Sequence, residues 1–119
     1  MYGRGEISYK HAAELAGLGR IVKNSLLITP EFENRVQLGS VITDIDLTPD
    51  PIIDKAMCPD DCNLCIEACP VNAISGWERV DQKLCRSNMY LTIPKGIVVE
   101  GFNVCRKVCP VGVKIANFI

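Results

Sequence analysis

The sequence predicts an α+β protein: a helix and β-hairpin arm over residues 1–50, then a cysteine-bound module over residues 51–119. Three observations predict it. A helix-favouring run closed by glycines stands near the start. Two short apolar runs rich in β-branched residues follow it. Four thiols then fall within twelve residues, Cys58 to Cys69, with Pro70 after the last. The ending of that stretch recurs as Cys105-Arg106-Lys107-Val108-Cys109-Pro110, the only internal repeat.

The arm reads in order. Residues 8–18 favour helix through alanines and Leu15, with Ser8 as N-cap and Gly17 and Gly19 as the stop; His11 gains little from its place in the first turn. Ser25-Leu26-Leu27-Ile28-Thr29 is a buried strand by its apolar run, ended by Pro30. Residues 31–34 make a turn. Residues 36–45 partly alternate and are β-branched, so they read as a second strand that pairs with the first as an antiparallel hairpin. Gly39 inside it marks a bulge or a close backbone approach. Residues 46–55, with Pro49, Asp50 and Pro51, are an extended connector and the boundary between arm and module.

The cysteine run carries the chemistry. Bacterial ferredoxins use C-x2-C-x2-C-x3-C-P, whose fourth cysteine ligates the other cluster of a pair. Cys58-Pro59-Asp60-Asp61-Cys62-Asn63-Leu64-Cys65-Ile66-Glu67-Ala68-Cys69-Pro70 has that pattern with one residue inserted between the first two cysteines. Asp61 sits where regular spacing would put a thiol, so Cys62 ligates from a bulged loop. A cubane has four iron corners, each wanting one soft thiolate. Close cysteines wrap three corners, and a helical turn carries Cys69 away until Pro70 ends it. The module is therefore expected to be a ferredoxin-like two-cluster iron–sulfur unit. Structural zinc calls for two well-separated cysteine or histidine pairs and does not need the C-x3-C-P ending twice. A disulfide framework fits poorly with seven cysteines and no secretory signal.

The remaining elements follow. Residues 63–69 form a short helix and residues 73–77 a brief apolar exit. Asp81 caps a helix through Cys85 to Tyr90. Residues 92–96 are a turn, residues 97–99 an apolar cover over a cluster, and residues 103–109 the second cluster helix.

Counting ligands by the crossed pattern gives the first 4Fe–4S cluster Cys58, Cys62, Cys65 and Cys109. The second takes Cys69, Cys105 and, by elimination, Cys85. A regular repeat would also place cysteines at 99 and 102, where this chain has Val99 and Phe102. The second cluster is thus one thiolate short. It is a 3Fe–4S cluster, or a 4Fe–4S cluster whose last iron takes water, an added thiol or a nearby ligand (Asn103, Asn88 and Asp81 are near in sequence), or a partly empty site. A degenerate site under weak constraint is the bland alternative.

Composition bounds the rest. Thirteen basic and fourteen acidic residues nearly cancel in 119, so no basic field points to nucleic acid. The apolar runs are too short to span a bilayer. Residues 1–6 show no signal core or twin arginine, and the expectation is a cytoplasmic protein. No hydrolase, P-loop or dinucleotide motif appears, and His11 is the one histidine.

The order of motifs also carries a resemblance. The helix leading into Gly17-Leu18-Gly19, then Lys23-Asn24, residues 26–31, Leu38-Gly39, Ile42-Thr43-Asp44 and the cysteine run together resemble the C-terminal part of epoxyqueuosine reductases, over roughly residues 8–112. Corrinoid-dependent reductive dehalogenases share much of this pattern. In that family a ferredoxin-like module passes electrons to a corrinoid, which reduces the substrate. Residues 85–93 look like the family's lone-cysteine segment, which implies a second-cluster role for Cys85. Phe102 falls where the family pattern has another cysteine. Residues 17–24 resemble backbone near the corrinoid, although a helix cap leading into a strand accounts for them too.

The family's corrinoid and substrate domain is almost wholly absent here. The resemblance therefore implies no corrinoid held by this chain alone and no catalysis without help. It implies a redox partner protein, a corrinoid-binding chain among the candidates, and no nucleic acid or membrane. Three functions are carried forward: an electron-transfer protein, an electron-delivering part of a corrinoid-dependent oxidoreductase (acting with a separate chain or as a fragment of a longer one), and a structural or sensing metal protein. Apolar faces left uncovered by the absent domain predict self-association as a homo-oligomer.

Overall fold

A computed structural model of the chain describes residues 5–76, 79–101 and 103–112. Trp77, at the end of the predicted apolar exit, and Phe102, at the missing-thiol position, lie outside the described residues.

Helix α1 spans Tyr9–Leu15. The Ser8 carbonyl accepts from the Ala12 N–H at 2.9 Å, but its side chain caps no backbone N–H. The hydroxyl instead pairs with His11 Nδ1 at 2.7 Å, so Ser8 stands at the expected N-cap position without a side-chain cap bond. The helix ends in a Schellman motif. Gly17, at φ +77°, donates to the Glu14 carbonyl, and Leu18 donates to the Ala13 carbonyl. A side chain at Gly17 would also run into the Pro51 carbonyl, and one at Gly19 into the Ile28 carbonyl, so both glycines permit close backbone approach.

Strands β1 (Arg20–Ile21) and β2 (Leu27–Ile28) pair antiparallel, Arg20 opposite Ile28 and Ile21 opposite Leu27. This differs from the predicted hairpin. Residues 36–45 form no strand or helix, with Val41 91% and Ile42 93% exposed. The physical reason is local. Asn24 Oδ1 accepts from the Leu26 N–H at 3.1 Å and Ser25 adopts φ +63°, which folds residues 22–26 into a turn that closes at once. The apolar run over 25–29 thereby meets the residues before it, not those after it. Pro30 and the Thr29–Glu33 bridge then turn the chain away.

Helix α2 (Leu64–Ala68) and helix α4 (Val104–Lys107) pack on each other. Between them come helix α3 (Gln82–Met89) and strands β3 (Tyr90–Ile93) and β4 (Ile97–Glu100); a 3-10 turn, Pro110–Gly112, follows α4. Asp81 caps α3 by accepting from the Leu84 N–H at 3.0 Å. β3 and β4 form an antiparallel hairpin closed by Lys95 and Gly96, both at positive φ. Of the residues expected to cover a cluster, Ile97 is 53% and Val98 60% exposed on that hairpin, and Val99 is half-buried.

The core lies on both faces of β1–β2, as the strand pleat requires. Ile21 and Leu27 pack with Ala13, and Leu38 lies against them. Val22 and Ile28 pack with Cys109, backed by Met57, Cys58 and Val111. The N-terminal hairpin therefore shares its second cluster of buried side chains with two cysteines.

Candidate metal centre

The described residues include all seven cysteines, and none is in a disulfide. They separate into two sets. Cys58, Cys62, Cys65 and Cys109 line one narrow cavity, with Val22 and Lys23 beside them. Cys69, Cys85 and Cys105 line a second cavity of about 790 Å³. The sets cross between the repeated endings. α2 carries Cys65 to the first cavity, while Cys69, just past its end, faces the second. α4 carries Cys105 to the second, while Cys109, past its end, faces the first. Reciprocal use of two C-x3-C-P turns produces this. The three residues between the thiols fill about one helical turn, and the proline stops continuation.

The electrostatics of each set follow from crowding. Burial pushes the Cys65 thiol above its usual range, and the neighbouring Cys58 and Cys109 push it further. Burial also raises Cys85, with Cys69 adding to it, and Arg86 acts against them. Cys105 rises by burial and then by Cys85, opposed by the backbone N–H of Arg106. Several thiolates facing one another in a poorly solvated space repel, and a bound cationic core relieves that. Among the described residues no three His, Cys, Asp or Glu side chains are drawn in tightly enough to hold a single ion. The thiolates that ligate the four corners of a cubane stand further apart than the ligands of one tetrahedral ion.

Three residues that no cysteine pattern points to hold these sets in place. Lys23 Nζ donates to the carbonyls of Pro59 (3.2 Å), Asp60 (2.6 Å) and Cys62 (2.8 Å), stitching the loop that contains the inserted residue. Asn24 Nδ2 donates to the Cys105 carbonyl at 3.2 Å, and Asn34 Nδ2 to the Arg106 carbonyl at 3.0 Å. A four-residue helix such as α4 leaves its carbonyls unpaired, and the two amides, both almost fully buried, satisfy them. At the second set the Ala73 N–H donates to Cys69 Sγ at 3.3 Å. A sequence signal existed: Lys23 and Asn24 are the polar break inside an otherwise apolar stretch.

The chain resembles one part of epoxyqueuosine reductases. It is 39% identical over 122 residues to the epoxyqueuosine reductase of Listeria monocytogenes, covering 92% of this chain and 31% of that protein. The Bacillus anthracis protein of that name is 36% identical over the same shares. A crystal structure of selenomethionine-labelled epoxyqueuosine reductase superposes with a TM-score of 0.74 at 30% identity, covering 92% of this chain and 31% of that one. The chain thus spans about a third of the length of these relatives. No protein-family model matches it. No helix among the described residues is long and apolar enough to cross a membrane.

Proposed function

We propose that this chain is an iron–sulfur electron carrier that delivers electrons within an epoxyqueuosine reductase-like system. A 4Fe–4S cluster is held by Cys58, Cys62, Cys65 and Cys109, and a second cluster by Cys69, Cys85 and Cys105. The observation that carries this reading is the crossed sorting of the seven thiols into sets of four and three from two repeated endings. The donor set fits the group: soft thiolates, no disulfide, and loops pinned by Lys23 and the two asparagines. Bound clusters supply reversible one-electron transfer, with potentials set by hydrogen bonds to sulfur, charge and burial. The chain's own part is to hold the thiolates, donate the Ala73 N–H to Cys69, and limit water at the first site with Val22, Ile28 and Val111.

The similarity to about a third of an epoxyqueuosine reductase favours the electron-delivering role over a free-standing ferredoxin. The acceptor is then a unit that holds the corrinoid and the substrate, on a redox partner protein or on a longer chain that includes this one, and the ferredoxin-like module works in the cytoplasm. Iron and sulfide are counted per chain in anaerobically prepared protein and read with electron paramagnetic resonance. About eight irons mean two cubanes, about seven a 3Fe–4S second site, and about four an empty one. Zinc without sulfide overturns the reading.

A further inference from the structure

We propose that the cavity around Cys69, Cys85 and Cys105 is a binding site for a small thiol that carries a carboxylate. Its sulfur caps the iron corner that no cysteine of this chain can reach, and its carboxylate meets the basic lining. This rests on the two-cluster reading above.

Three observations carry it. First, the count: four of the seven thiols line the other cavity, so three remain for a core with four corners. Second, the space: about 790 Å³ lies in the range of small-molecule pockets, roughly 300–1,000 Å³. Third, the charge: Lys10, Arg79 and Arg106 line the cavity, and among the described residues no Asp or Glu does. Arg79 and Arg106 thus give the lining two guanidinium groups that an anion can meet. Guanidinium groups recognise carboxylates through paired N–H donors, and iron in a cluster prefers sulfur to oxygen. Ser25, buried on the cavity wall and held by Lys10, and Gln37 add polar contacts for such a head group.

The test uses the full chain, reconstituted anaerobically and freed of small thiols by gel filtration. Dithionite-reduced samples are titrated with 3-mercaptopropionate and, separately, with cysteamine, a thiol of opposite charge. Iron and sulfide are counted in the same samples. About eight irons are expected, with a saturable shift of the one resonance signal that Cys85→Ser abolishes. 3-Mercaptopropionate should act at a concentration roughly tenfold below that of cysteamine. Arg106→Gln should narrow that preference without changing iron content.

Eight irons with no shift by either thiol would overturn the proposal alone, since a group of the protein would then cap the corner. So would about seven irons that added ferrous ion and dithionite do not raise, or equal affinity for the two thiols. About four irons would take down the two-cluster reading with it.

Discussion

The ammonium of Lys23 donates to the carbonyl of Cys62 at 2.8 Å, and the same nitrogen reaches the carbonyls of Pro59 and Asp60. One side chain from the turn between β1 and β2 thus ties down the loop in which this chain departs from regular ferredoxin spacing. Lys23→Met removes three charged donors from that loop. Hydrogen bonds to charged groups are worth about 1.5–3 kcal/mol each at most in a buried setting, and this group is part-exposed, so a total loss of about 1–3 kcal/mol is expected. Anaerobic urea denaturation measures it. Iron at the first site should be lost faster to a chelator, with Lys23→Arg restoring part of the retention.

Cys65 and Cys109 are far apart in sequence yet line one cavity. Cys65→Ser and Cys109→Ser should therefore each remove the same resonance signal and about four irons per chain, while Cys85→Ser removes the other signal. Different signals lost in Cys65→Ser and Cys109→Ser would refute the crossed ligand sets.

Asn34 is 2% exposed, and its amide is the partner of the Arg106 carbonyl at the end of α4. Asn34→Ala leaves that carbonyl unpaired in a dry place, at a cost of about 1–3 kcal/mol. The urea midpoint of the iron-loaded protein should fall with an unchanged slope. Both cavities should keep their iron, because no ligand is touched.

Phe102 occupies the position where the repeat would have its missing cysteine. Phe102→Cys should supply the fourth thiolate, slow iron loss from the second site under a chelator, and abolish the response to 3-mercaptopropionate. An unchanged loss rate, measured by absorbance decay, would show that the position takes no part in ligation.

Much of the site was legible because cluster ligation demands close cysteines, and close cysteines are a pattern in one dimension. The repeated C-x3-C-P ending pointed to Cys109 and Cys69 as crossed, and elimination pointed to Cys85; the described thiols sort in that way. The hairpin was harder. The β-branched run over 36–45 reads as a strand by propensity, yet propensity does not supply a partner. Asn24 and Ser25 turned β2 back onto β1 before that run was reached. The hairpin β3–β4 was missed for the converse reason: Thr92–Gly96 read as a turn, and the apolar residues after it read as cover over a cluster when they are a strand pairing back to Tyr90–Ile93.

By itself the sequence determined the donor chemistry: seven thiols, their spacing, and the count that leaves one set of three. Tertiary structure alone decided which polar side chains hold the first cysteine loop and helix α4, through Lys23, Asn24 and Asn34, and that a wide basic cavity opens beside the incomplete set. The reason is that ligand type is a property of residues, whereas an unpaired carbonyl finds its donor only when a distant turn folds against it.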